Sequence, residues 1–462
     1  MPSRRRLTAG LALAACLAGR AASEEPEGPV LVLVGGEVRS AAGPVVRGGT
    51  VLVRGGRIEA VGADVNVPDG ARRIDVTGAV VTPGFVDADG ALPIPVEERF
   101  APRWGVDLRA ADAVDADDPR LATARRQGVT SFLVTGDARG NFAATAALVA
   151  NSSPAAVLDA DGPLVVTLAT PDVAGGVWGA QRLAEVRGVY VDARERREAL
   201  ARWRRDLQRY EERRAAEAPI AVERLLLPSD LVEEMSRWPP ERRAAWREAA
   251  LKSAGREKDW TRPKDLARPP LRPVRDPALD LVIATMDAAS GRRTLVRTQT
   301  AADVRAALAL AKEFGLSVTV TGGEGLAEDA EELAAAKVPV VVGDAADTAF
   351  RAEGPLAARR PGLAARLVAA GLHPAIASGG AGGGARFLRL LAAREIGEGL
   401  APDDALRAVT AWAAEAAGAA DKVGSLAPGR RADVVVWDGD PFAAASRPRL
   451  VLVGGAVVEG GR

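Results

Sequence analysis

Near its start the chain alternates apolar and polar positions at period two, in LVLVGGEV (31–38) and GGTVLVRGGRIEAVG (48–62). Branched residues broken by Gly-Gly pairs predict short antiparallel strands, because successive side chains of a strand face opposite sides. The pattern returns at the far end in GSLAPGRRADVVVWDGDP (424–441) and in LVLVGGAV (450–457), which nearly duplicates 31–38. A strand-rich region divided between the two ends predicts one small β domain, from 29–80 and 421–462, with the rest of the chain inserted into it. In that insert, short apolar runs alternate with alanine-rich helical stretches. The runs are VTSFLVTG (129–136), LVRTQT (295–300), SVTVTGG (317–323), VPVVVGD (338–344) and PAIASGG (374–380), and AADVRAALALAKEFG (301–315) is one of the helices. Repeated strand–helix units with apolar strands predict a parallel sheet, and this many favour a closed barrel over 81–420.

Between residues 192 and 275 the strand signal disappears. The stretch ARERREALARWRRDLQRYEERRAAEA (193–218) has opposite charges three and four apart, the pattern of a solvated helix. Trp203, Trp238, Trp246 and Trp260 lie here among prolines. The segment reads as a helical insertion: a surface excursion of the kind loops tolerate, or, given a residue type enriched at binding hot spots, a cap that holds a partner. The expected class is therefore α/β, a (β/α)8 barrel with a small composite β-sandwich and a helical insertion.

Composition changes this picture at two points. Lys+Arg and Asp+Glu both number 61, which gives no electrostatic case for a nucleic-acid partner. The 462 residues include one histidine, His373. Zinc hydrolase sites draw on two or three imidazoles, so one cannot build such a site. The sole cysteine, Cys16, follows Arg4-Arg5-Arg6 and an apolar stretch from Leu7 to Leu17. That is the profile of a signal peptide (1–22), too short to span a bilayer as a helix. Leu13-Ala14-Ala15-Cys16 matches a bacterial lipobox, with Cys16 as the lipidated residue; the alternative is an ordinary secretory cut near Ala21 or Ala22, and Ser3 to Leu7 also resembles a twin-arginine signal. The expectation is an exported protein, periplasmic or membrane-attached through a lipid anchor. With no second cysteine, an intramolecular disulfide is excluded.

Thr82-Pro83-Gly84-Phe85-Val86-Asp87-Ala88-Asp89 resembles the amidohydrolase superfamily, and most nearly its imidazolonepropionase-like branch, whose first barrel strand ends in PGFVDxHxH. The resemblance continues through 115–131, 295–344, 388–418 and 424–441. It implies a barrel with a composite β-sandwich, hydrolysis of non-peptide C–N bonds, and metal ligands at strand C-termini. On the matching positions the two first-strand histidines fall on Asp89 and Ala91, the fifth-strand histidine on Arg297, the sixth-strand histidine on Thr321, and the eighth-strand aspartate on Gly379. All five ligands are replaced. His373 precedes the eighth strand, away from the catalytic rim, and is expected to be structural.

Asp89 and Arg297 are expected to pair across the barrel mouth, the guanidinium standing where the metal would be. A re-sited ion is the competing idea, with Asp87 and Asp89 on one face of a strand and Glu324 and Asp344 as further oxygen donors. The run from Gly379 to Gly384 reads as a flexible loop or a weak anion site. No cofactor is expected. The leading functional reading is a pseudoenzyme: a binding or scaffold protein that takes an unidentified small molecule or protein through Asp89, Arg297, Thr321 and Gly379, or pairs as a homo- or heterodimer. The alternative is a metal-independent or re-sited amidohydrolase, with Asp89 or Glu324 as general base and Arg297 stabilising an oxyanion.

Overall fold

The alternating N-terminal run forms five strands: β1 (Val30–Val38), β2 (Val46–Arg54), β3 (Arg57–Gly62), β4 (Arg72–Asp75) and β5 (Val80–Pro83). β1 is central, antiparallel to β2 and parallel to β4 and β5. The computed structural model describes residues 29–94, 105–136, 140–169, 176–226, 235, 237–253, 269–343, 361–379 and 384–460. The export segment with Cys16, Trp260, Asp344 and residues 380–383 lie outside the described residues.

The chain then enters a barrel wall. Its strands are β6 (Phe85–Gly90), β7 (Val129–Val134), β8 (Phe142–Thr145), β9 (Ala147–Ala150), β10 (Ala156–Asp159), β11 (Leu164–Thr167), β12 (Thr294–Arg297), β13 (Val318–Gly322), β14 (Val340–Val342) and β15 (Pro374–Ile376). β6 and β7 are parallel, as are β11 through β15 in sequence order. Residues 142–150 bridge the two groups, β9 lying antiparallel to β7 and β8 antiparallel to β11. β15 comes back beside β6, so the wall closes as a (β/α)8-type barrel. The third wall position is thus held by a reversed strand. The connection from β7 needs no crossover helix there, because an antiparallel return can be made by a short turn.

Two cores follow from the wall. Val86, Ala88, Leu133, Leu148, Val165, Leu295, Val341 and Ala375 fill the interior, together with Ala413, Ala414 and Ala416 from the helix Ala411–Ala416 that plugs the N-terminal end. Outside, Val304, Ala307, Leu310 and Phe314 of the helix Ala301–Phe314 pack on the wall. That helix starts in a capping box, Thr300 with Asp303, and ends at Gly315 with φ 68°. The cap fixes the helix directly after Arg297, so the end of β12 is held firmly.

β16 (Val434–Trp437), β17 (Pro448–Val453) and β18 (Ala456–Gly460) close the N-terminal sheet in the order β18-β17-β16-β5-β1-β2-β3. The composite domain is joined to the barrel through Trp437, fully buried, stacked on Phe85 at 5.4 Å and donating from Nε1 to Thr82 Oγ1 at 2.9 Å. Gly128 sits against that ring. Its φ is +84°, and an added Cβ would lie 2.7 Å from Trp437. Gly128→Ala is expected to lower stability by more than about 1 kcal/mol, through strain and displacement of the indole. Thermal unfolding checks this; an unchanged midpoint would contradict it.

The charge-rich stretch is not a separate piece where it begins. It is the outer part of a 51-residue helix, Gly176–Leu226, that follows β11. Val186, Tyr190 and Ala193 of that helix are buried on the barrel, Tyr190 stacking on Phe314 at 5.3 Å. Farther out, Arg196 donates to Asp280 at 2.8 Å and Trp203 Nε1 to the Pro270 carbonyl at 3.1 Å. The helix Pro277–Thr285 packs beside it and is capped by Asp276. The composition shift near residue 192 marks the helix leaving the barrel surface, not a break in backbone structure. No helix among the described residues is long and apolar enough to cross a membrane.

Candidate functional site

The C-terminal ends of the wall strands place five side chains in one buried layer. Arg297 is the last residue of β12 and pairs in register with Thr321 of β13 and with Thr167 of β11. Side chains at paired positions of neighbouring strands point to the same face. Arg297 and Thr321 both reach Asp89, so that face is the barrel interior. Arg297 Nη2 donates to Asp89 Oδ1 at 2.7 Å and lies 2.7 Å from Thr135 Oγ1. Thr135 Oγ1 is 2.7 Å from Asp89 Oδ1, and Thr321 Oγ1 donates to Asp89 Oδ2 at 3.2 Å. Both carboxylate oxygens of Asp89 are therefore engaged. The pair is well buried, with Asp89 3% exposed.

Gly343, just beyond β14, completes the packing. A Cβ there would lie 2.3 Å from Thr321 Oγ1 and 3.3 Å from Asp89 Oδ2. Thr135 and Gly343 were not singled out from the sequence. Their only signal is their place directly after an apolar strand, where barrel proteins carry their chemistry. Thr167 is also new: its buried hydroxyl has no hydrogen-bond partner among the described residues. That is a costly state for a group beside a guanidinium.

Asp87 does not share its neighbours with Asp89. The β6 register slips between Phe85 and Val86 and again between Asp87 and Gly90, so strict alternation fails along this strand. Asp87 instead accepts from the Ser378 backbone N–H at 2.9 Å and from the Ser378 hydroxyl at 2.6 Å, which ties β6 to the chain just beyond β15. Full burial pushes its carboxyl up to about 6, against the two Ser378 hydrogen bonds, with repulsion from Asp89 adding to the rise.

The remaining sequence candidates lie elsewhere. Glu324 is held by Arg366, whose Nη2 donates to both carboxylate oxygens at 2.7 and 2.8 Å, so it is not a free base. Gly379 is exposed, with φ 73°, and has no side chain to offer. Ala91 is buried and apolar. His373, expected before the eighth strand, directly precedes β15 and stacks on Trp412 with ring centroids 4.8 Å apart.

A zinc ion does not fit this donor set. At the positions that the resemblance assigns to ligands stand one carboxylate, already committed, an arginine, a threonine, an alanine and a glycine. A guanidinium cannot ligate a cation, and Asp89 alone cannot hold one. Among the described residues, no group of three or more His, Cys, Asp or Glu side chains is arranged to hold a metal ion. The layer can neutralise charge, hold a rigid hydrogen-bond network, and offer the partly exposed edge of a guanidinium.

Comparison with known proteins adds the following. Residues 298–458 match the model of the amidohydrolase family. The chain is similar to the N-acyl-D-glutamate deacylase of Alcaligenes xylosoxydans xylosoxydans, 32% identical over 139 residues, which is 30% of this chain and 24% of that protein. It thus spans about a quarter of that relative's length. Over the whole chain the fold is similar to the crystal structure of an amidohydrolase from Thermotoga maritima MSB8, with a TM-score of 0.68 at 20% identity, covering 93% of this chain and 100% of that one.

Proposed function

We propose, taking residues 298–458 as a segment of the amidohydrolase family and the described chain as its barrel fold, that this protein has lost the family's metal-assisted hydrolysis of non-peptide C–N bonds and acts by binding at the barrel mouth. The observation that carries the reading is the Arg297–Asp89 pair, 2.7 Å apart, locked by Thr135 and Thr321. The guanidinium engages the one carboxylate at the positions assigned to ligands, which leaves no free anionic donor there for the cation such a barrel would use to activate water. The buried Thr167 hydroxyl, without a hydrogen-bond partner among the described residues, is in keeping with a polar group that a bound molecule would satisfy.

The test is metal analysis and turnover on the purified full chain, with N-acetyl-D-glutamate among the amides tried because of the similar deacylase. The expected result is far less than one divalent ion per chain and no hydrolysis above background, with or without chelator. One tightly held ion per chain together with chelator-sensitive turnover would overturn the reading.

One observation favours a second reading, hydrolysis of amide or cyclic C–N bonds without a metal. Asp87, raised by burial to about 6, would have the basicity of a general base near neutral pH. It would appear as chelator-resistant turnover with a pH inflection near 6 that disappears in Asp87→Asn. Within the superfamily we read the chain as a diverged member of the imidazolonepropionase-like branch. We also read it as exported and lipid-anchored through Cys16, a scaffold able to pair with a second copy or an active homologue. On that reading Cys16→Ala moves the protein from the membrane to the soluble fraction; unchanged membrane attachment would refute it.

A further inference from the structure

The opposite end of the barrel carries a second concave site. A pocket of about 400 Å³ opens between the β1–β2 connection of the composite domain and the barrel base, lined in part by Ala41, Leu372, His373, Asp404, Arg407 and Trp412. Its volume is that of a small-molecule site, and a boundary between two structural units is a common place for one.

Three features set this pocket apart from an ordinary surface dent. The first is its wall. The imidazole of His373 lies flat on the indole of Trp412, with planes 4° apart and centroids separated by 4.8 Å, and the ring is exposed on the pocket side. Trp412 is itself buried, so the stack is backed by the core and its plane is fixed. The second is its edge. Arg407 Nη1 donates to Asp404 Oδ1 at 2.8 Å, and both side chains remain partly exposed, 40% and 23%. The pair presents guanidinium donors and a carboxylate acceptor side by side. The third is its rim. Ala41 holds φ 59°, a left-handed conformation that costs an alanine about 1 kcal/mol and that collects at binding sites.

We propose that this pocket binds a planar heteroaromatic ring whose edge carries an N–H beside a carbonyl, the ring lying on His373 and the edge meeting Asp404 and Arg407. A flat ring is required because the wall is a plane of fixed orientation, and offset stacking on it is favourable. The edge follows from the charge pattern. A lactam N–H donates to the carboxylate of Asp404, and the adjacent carbonyl accepts from the guanidinium of Arg407. Asp404 and Arg407 sit on the short helix Pro402–Ala408, and His373 sits directly before β15. The site is independent of the Arg297 layer and shares no residue with it.

The single histidine makes the test clean, because the imidazole region of a proton–carbon correlation spectrum of the full chain reports only on His373. Hypoxanthine is the probe, since its N1–H and O6 form the required edge. The expected result is a saturable upfield movement of the His373 signals from the stacked ring. 1-Methylhypoxanthine, which keeps the ring but lacks that N–H, is expected to bind roughly ten- to a hundred-fold more weakly, the worth of one charge-assisted hydrogen bond. Asp404→Ala is expected to weaken hypoxanthine by a similar factor while its ligand-free His373 signals stay in place, which shows the fold intact. No saturable movement up to the solubility limit would overturn the proposal. Equal affinity for the two purines, or for the variant, would overturn it as well.

Discussion

Arg297→Ala is expected to destabilise the protein by about 3–5 kcal/mol, the largest effect of any single change at the barrel mouth. The magnitude comes from what remains. Asp89 would keep a buried negative charge with only the hydroxyls of Thr135 and Thr321 to offset it, and breaking one side of a buried ion pair costs this much. The double variant Asp89→Asn/Arg297→Met is expected to recover most of the loss. An asparagine still offers the two threonines hydrogen-bonding partners, and the methionine refills the volume without a charge. Denaturant unfolding of the wild type, both single variants and the double variant measures the coupling directly. A single-variant loss below about 1 kcal/mol would mean that the pair is solvated in solution, and the account of the arginine as a fixed charge among the strand ends would fail.

The second large effect is a component of stability, set by Asp87, that is lost as pH rises through the acid range. Its folded-state value is raised from 3.8 to about 6, because full burial disfavours the carboxylate. Between those two values the folded state binds the proton that the unfolded state has released. The contribution of Asp87 to stability is therefore greatest below about 4, falls as pH climbs through the window, and levels off above about 6. The contribution of this one group is roughly 3 kcal/mol across the window. Asp87→Asn keeps the Ser378 contacts with a neutral side chain and should remove this component. The variant is then expected to match the wild type near pH 4 and to exceed it at pH 8. Unfolding free energies at several pH values decide the matter; parallel wild-type and variant curves would show that Asp87 does not titrate in this range.

The two effects act on neighbouring carboxylates that use opposite solutions to the same problem. Asp89 is charged and paired with a cation. Asp87 has no cation and is held by the serine beyond β15. Both lie on β6, two residues apart.

Much of this was legible in the chain itself. Period-two alternation at both ends, with LVLVGG occurring twice, determined a composite sheet, and the order of apolar runs determined a barrel. One histidine in 462 residues determined that this sequence does not itself supply the two or three imidazoles that zinc hydrolase sites draw on. The pairing of Asp89 with Arg297 was also an expectation of the sequence, because oppositely charged residues stood at matching strand ends. Other features belong to the tertiary structure alone. Which residues share a layer depends on strand register, and along β6, whose register slips twice, Asp87 meets Ser378 while Asp89 meets Arg297. The reversed third strand, the locking role of Thr135, the space kept by Gly343 and the capture of Glu324 by Arg366 are all contacts between residues far apart in the chain. Periodicity reports which face of an element is buried. It carries no information on which distant side chain will be waiting there, and that is decided only when the wall closes.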